Sequence, residues 1–380
     1  MTFFTKVDSS TLQPGEARPL GLSQRGRSGL EMLGTLQRFA GETYRPKALR
    51  NFRADPDGAE LTRTQTKDHP ADEMRRRVKR ATAVVERDSV YRLERFFQRY
   101  VGEENYARGI AAVEERRPAF EAFLARPVDD GAGVLELDDT LVPPRYYSDV
   151  EWHLEPGGWD GYDLYGPMFG FALGPLVFRH GGYAAVPVGA DIIEHRLMAI
   201  RELPKAHYGR VFEPGCGGIS TLSAFKKVHP ETELHGCDLS PLLLKNGFKL
   251  AQRQGLTVHL KQADAIQTGE PDAHYDAVVT YALQHELPPK ANLAMFKEMF
   301  RILKPGGDIL LADPPPFRVV DPFHAAVLAW EDDNRAEPFF SAACLADWEQ
   351  TLREVGFEDV KAYALGEDCY PWITRATKPL

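Results

Sequence analysis

Residues 211–221 read Val-Phe-Glu-Pro-Gly-Cys-Gly-Gly-Ile-Ser-Thr, an apolar strand that breaks at a tight glycine turn and resumes as a helix. Few folds use that order, because the turn brings bare backbone up to a ligand while the next helix presents unpaired N–H groups. Glu213 adds a negative charge at the strand end. A pyrophosphate would favour the same turn without the carboxylate, and a P-loop would need the GKS or GKT ending that is missing here. The turn suits a nucleotide-like ligand with a cationic tail. S-adenosylmethionine, an adenosine with a sulfonium and an ammonium, meets that description.

Beyond the turn the chain keeps the same rhythm. Residues 233–240 form a second strand ending in an acid about 20 residues past the glycines, the spacing at which a carboxylate meets ribose hydroxyls. Asp238 is the expected ribose ligand, because Ser240 fills the cap of the helix that begins at Pro241. A third strand, 256–265, runs into Asp264, which could accept from an adenine amino group. Residues 275–281 are an apolar run of the kind buried on both faces, 292–303 an amphipathic helix, and 308–313 another buried strand after the Lys304-Pro305-Gly306-Gly307 turn. This alternation predicts a doubly wound, mostly parallel sheet covered by helices on both sides.

In this order the motifs resemble the catalytic domain of class I S-adenosylmethionine-dependent methyltransferases. EPGCGG at 213–218 is similar to the family's first motif, Asp238 to its ribose acid, and Ala263-Asp264-Ala265 to its adenine-side motif. YDAVVTYALQHELP at 275–288 resembles the fourth-strand motif, and LKPGGDILLAD at 303–313 the hairpin before the fifth strand. The resemblance runs from about residue 202 to the C-terminus. It implies a Rossmann-like sheet ending in an antiparallel hairpin, for which 356–363 and 370–375 are candidates. It also implies S-adenosylmethionine as cofactor, along Glu213, Gly215, Gly217, Asp238, Leu239, Asp264, Ala265 and Thr280. One departure is Ile219, which stands where the family usually has a third glycine.

The chain is expected to divide into a mainly helical region over 1–145, an aromatic-rich lid and connector over 146–200, and the methyltransferase-like part over 201–380. Residues 1 to about 70 are rich in turn formers, with one helix expected over 25–40 and a loosely ordered extreme N-terminus. Val78, Ala81, Val85, Leu93, Phe96, Phe97, Tyr100 and Val101 recur at helical spacing from Ala71 onward, and a second helix is expected over 104–124. The run Arg75-Arg76-Arg77-Val78-Lys79-Arg80 could touch RNA or DNA. A solvated helix face is the favoured alternative, since the whole chain carries a net charge of -9.

Between 146 and 167 aromatics, acids, glycines and His153 are packed into one loop-like run. That composition suits a binding lid or an aromatic hinge. Several members of the resembling superfamily carry an aromatic-rich segment here that closes over cofactor and substrate; Trp159 and Tyr162 are the expected substrate contacts. A helix over 191–200 leads into the core.

Methyl transfer from a sulfonium is an in-line displacement, so the protein must align the acceptor with the methyl carbon and exclude water. A hydroxyl or thiol acceptor also needs a base. Ligands of open parallel sheets sit beyond the carboxyl ends of the strands, which selects His285, Glu286 and Asp313. His285 comes first, because a neutral imidazole accepts a proton near pH 7; its alternative is a helix-start residue. His153 and Tyr165 are the next catalytic candidates. Asp313 and Phe317 frame Pro314-Pro315-Pro316, read as a stiff substrate-side loop. The loop resembles the Asn/Asp-Pro-Pro-Tyr/Phe motif of methyltransferases acting on amino nitrogens, yet it comes after the fifth strand rather than ending the fourth.

Cys216, Cys237, Cys344 and Cys369 match no CxxC pattern, so free thiols in a reducing cytoplasm and no metal are expected. The N-terminus has no secretory pattern, and no apolar run is long enough to span a bilayer. The leading expectation is a cytoplasmic, metal-independent methyltransferase acting on a small molecule. Oxygen is the first choice of acceptor atom, with sulfur, nitrogen and carbon open. Neither a membrane nor a nucleic-acid partner is favoured, and a homodimer stays open. The alternatives are an RNA or protein methyltransferase, and an S-adenosylmethionine-binding protein with another role.

Overall fold

A computed structural model describes residues 21–127, 131, 133–181 and 192–380. The expected loose N-terminus and Asp191, at the head of the expected 191–200 helix, lie outside these residues. The strands are β1 (Gly133–Glu136), β2 (Arg210–Pro214), β3 (Glu233–Asp238), β4 (Val258–Gln262), β5 (Tyr275–Tyr281), β6 (Leu303–Asp313), β7 (Glu358–Ala364) and β8 (Trp372–Thr377). They form one eight-stranded sheet in the order β1-β4-β3-β2-β5-β6-β8-β7. Neighbours from β1 to β6 are parallel, while β8 runs antiparallel to both β6 and β7. The doubly wound sheet and its C-terminal hairpin are therefore as the motifs imply.

β2 sits centrally, between β3 and β5. Because side chains alternate along a strand, Val211 enters one core with Phe225, Val279 and Leu310, and Phe212 enters the opposite one with Val278, Met299 and Ile309. This two-sided burial is why the motif strands read as apolar runs.

β1 goes beyond the expectation, since it comes from the region expected to be mainly helical. Gly133–Glu136 pairs with Val258–Lys261 at the sheet edge. Four residues are too few to show an alternating pattern. Its glycine is required by position: Gly133 has φ +100°, and a Cβ there would lie 1.9 Å from the Val258 carbonyl oxygen.

The N-terminal helices include Gln24–Thr43, Ala71–Val85, Ser89–Glu114 and Arg117–Leu124. The helix break expected before Glu104 falls instead after Val85, where the Asp88 carboxylate accepts the Val90 N–H and starts the next helix. Ala81, Val84, Phe52 and Tyr91 share a core with Phe323 and Val327 of the helix Pro322–Asn334. The Phe323 ring lies 5.8 Å from that of Phe52 and 6.1 Å from that of Tyr91. N-terminal helices and the segment after β6 are thus packed as one body.

The basic run on Ala71–Val85 is largely paired within the chain. Arg75 meets Asp72, Arg76 meets Glu73 and Arg80 meets Glu60, while Arg77 is buried and donates to the Leu61 carbonyl and the Thr64 hydroxyl. Among the described residues no helix is long and apolar enough to cross a membrane.

Candidate active site

The carboxyl ends of β2 to β5 open into a cavity of about 650 Å³. Glu213 is the penultimate residue of β2 and is buried, with Oε2 free of any hydrogen bond. Burial pushes its carboxyl up to about 8, against the opposing pull of the Thr221 hydroxyl and the Arg196 guanidinium. Arg196, from the helix Ile192–Ile200, donates to Thr221 Oγ1 at 3.2 Å and lies over the Tyr281 ring at 4.1 Å. A carboxylate beside a guanidinium complements an amino-acid zwitterion, ammonium to one and carboxylate to the other.

The turn beyond Glu213 is tight. Gly215 has φ +64°, and a Cβ there would meet Leu283 Cδ1 at 2.6 Å. Asp238 ends β3 and ties the turn down: Oδ2 accepts the Gly217 N–H at 2.8 Å and Oδ1 the Ser240 N–H at 2.9 Å. Burial raises its carboxyl to about 6, and each oxygen can still accept a second bond. Ser240 takes the helix cap as expected, accepting from the Leu243 N–H. Asp264 lies just past β4 and accepts the Ile266 N–H at 3.0 Å; burial raises its pKa as well. Leu239 and Ala265 line the same wall, whereas Thr280 is buried off the lining and hydrogen-bonded to Gln284. Ile219 takes the left-handed conformation itself, at φ +63°, with its side chain fully buried against Gly247.

The aromatic run roofs this cavity through Tyr146, Tyr147, Trp152, His153, Trp159 and Tyr165. Asp160 fastens it to the ribose side, accepting from the Tyr147 hydroxyl and from Ser240 Oγ, each at 2.7 Å. Tyr106 and the π-helical stretch Phe169–Phe178 close the rest. Tyr162 is off the lining, its hydroxyl donated to Glu114 at 2.6 Å.

The far wall carries His285 and Glu286 after β5, and Glu331, Arg335 and Glu337 after β6. His153 Nε2 lies 2.9 Å from Glu337 Oε1 and 3.2 Å from Glu286 Oε1, with Nδ1 3.3 Å from Glu155 Oε1. Glu155 Oε1 also accepts from the hydroxyls of Tyr106 at 2.5 Å and Tyr165 at 3.0 Å. His285 Nδ1 is 2.9 Å from Asp313 Oδ1. Burial works against an imidazolium at both histidines. Glu337 and Glu286 outweigh it at His153, and Asp313 does so at His285, raising it to about 10. The neutral His285 expected from sequence is therefore not the form this network favours at pH 7.

Asp313 is buried beneath His285 and does not line the cavity, and Phe317 packs against Met74 and Val78 instead. Burial raises the Glu331 carboxyl to about 7, with Arg335 and Arg95 pulling the other way. Arg196, Glu155, Glu331, Arg335 and Glu337 carry no motif. Their sequence signal is only that of charged residues within buried helices and turns.

A methyltransferase-domain family profile matches residues 211–307, from β2 into β6. This is a class I S-adenosylmethionine-dependent methyltransferase domain. Among curated relatives, demethylmenaquinone methyltransferase of Thermus thermophilus is 28% identical over 132 residues, 34% of this chain and 57% of the relative. Ribosomal RNA small subunit methyltransferase C of Hahella chejuensis is 25% identical over 221 residues, 54% of this chain and 60% of the relative. The chain thus spans less than two thirds of these relatives. A solved structure of Haemonchus contortus phosphoethanolamine N-methyltransferase 2 with S-adenosyl-L-methionine covers 49% of this chain and 53% of its own, at 16% identity and a TM-score of 0.38. Outside residues 211–307 the cavity lining comes from Tyr106 of the helix Ser89–Glu114, the aromatic roof with the π-helical stretch, the helix Ile192–Ile200 and the segments after β6.

Proposed function

We propose that this chain transfers a methyl group from S-adenosylmethionine to a small-molecule acceptor, with oxygen as the acceptor atom. One observation carries the reading: a single cavity joins the strand-end acids of the methyltransferase domain to a roofed chamber lined by aromatics and proton-handling groups. The residues present fit the cofactor. Glu213 keeps a buried, unpartnered oxygen for a cation, Arg196 stands beside it, and the Gly215 turn leaves no room for a side chain. Glu213 and Arg196 would hold the methionine end, Asp238 the ribose hydroxyls and Asp264 the adenine amino group, between Leu239 and Ala265. When bound, S-adenosylmethionine supplies an electrophilic methyl group on sulfur.

The chain's own residues then position the acceptor and keep water out. Trp152, Trp159 and Tyr165 give the chamber flat apolar walls that suit a ring-bearing acceptor. Glu331, held near neutrality, accepts the proton of an acceptor hydroxyl, with the Arg335 guanidinium close enough to pull on its charge. The internal pairing of the basic run supports a small acceptor over nucleic acid.

Incubation with methyl-labelled donor and a metabolite extract, then mass spectrometry, tests this. A labelled small product is expected. Label found only in RNA or protein would overturn the choice of acceptor, and donor binding without any transfer would overturn the reaction.

A further inference from the structure

We propose that His153, Glu286 and Glu337 form a binding site for a divalent first-row cation at the acceptor end of the cavity. Their donor atoms, one per residue, all lie within 4.8 Å of one another. Ligands held at about 2.1 Å and at right angles around one ion stand about 3.0 Å apart. The distances of 2.9 and 3.2 Å from His153 Nε2 to the two carboxylate oxygens match that spacing.

An independent observation points to a ligand at the same place. Glu337 is only 6% exposed, yet its Oε2 has no hydrogen-bond partner, and neither has the buried Oε2 of Glu286. Both residues line the cavity. Leaving such oxygens unpaired costs free energy that a bound cation would recover.

The surroundings of His153 have the form of a metal ligand's. Its Nδ1 faces Glu155 Oε1, which is itself fixed by the Tyr106 and Tyr165 hydroxyls. A ligating imidazole characteristically donates its other N–H to a carboxylate in this way, and the ion then replaces the Nε2 proton that otherwise faces Glu286 and Glu337.

One imidazole with two carboxylates suits Mn²⁺, Fe²⁺ or Zn²⁺, and the cavity leaves coordination positions for an oxygen of the acceptor. That last role rests on the methyl-transfer reading, whereas binding of the ion stands on geometry alone. The ligands come from three distant segments and show no spacing motif, which is why a metal-free protein is expected from sequence.

The test uses the full chain, stripped with chelator and titrated with Mn²⁺ alone by electron paramagnetic resonance. One Mn²⁺ per chain is expected. Glu337→Gln, which is close to isosteric, and His153→Ala should each weaken binding at least 10-fold, while Glu331→Gln, in the same chamber but outside the triad, should change it less than 3-fold. Absence of stoichiometric Mn²⁺ binding, or equal losses from Glu331→Gln and Glu337→Gln, would overturn the site. S-adenosylmethionine affinity is measured alongside. Cofactor binding without metal uptake sinks the metal site alone, and metal uptake without cofactor binding sinks the methyl-transfer reading alone.

Discussion

Asp238 does two jobs with one carboxylate, offering acceptors to a ribose and tying down the Gly217 and Ser240 amides. Hydrogen bonds to a charged group contribute roughly 1.5–3 kcal/mol each. Asp238→Ala is therefore expected to weaken S-adenosylmethionine binding by about 100-fold or more in calorimetry while the protein stays folded. Unchanged affinity would remove Asp238 from the ribose site. Glu213 makes a pH prediction. Its carboxyl titrates near 8 because it is buried, so a cation arriving below that pH must displace its proton. Affinity should rise as pH goes from about 6 to about 8 and level off above. The donor's own amine titrates nearby, so the comparison is with Glu213→Gln, which should bind more weakly and show a shallower slope. Identical slopes would mean that the carboxylate is ionised throughout.

Elements explain which residues could be read from the sequence and which could not. Glu213, Gly215, Asp238 and Asp264 all sit at or just past strand ends, where local pattern fixes position, and all four line the cavity. Thr280 shows the limit. It is next to Tyr281, which lines the cavity, but alternation along β5 turns it to the other side and onto Gln284. Phe317 and Tyr162 are drawn away by apolar and hydrogen-bonding partners on the N-terminal helices, whose placement no short motif encodes. The Gly215 turn permits a direct test. Gly215→Ala forces a left-handed alanine and a Cβ within 2.6 Å of Leu283, with an expected loss of about 1–3 kcal/mol in chemical denaturation. Adding Leu283→Ala should lift the clash but not the backbone cost. If the double variant shows simple additivity, the two residues do not press on each other.

For the whole molecule the decisive side chain is Phe323, which joins the helices before the aromatic run to the segment after β6. Phe323→Ala should cost about 3–5 kcal/mol. It should shift a single unfolding transition, coincident by near- and far-ultraviolet circular dichroism. Two separated transitions would show that the N-terminal helices unfold on their own. The edge strand β1 has a consequence of another kind, in the order of synthesis. Gly133–Glu136 leaves the ribosome well before Val258–Lys261, the segment it must pair with. Local helices form fast and long-range parallel pairing forms slowly. The nascent chain thus carries an unmatched strand beside helices that are already made, and the border of the sheet is completed by its oldest strand.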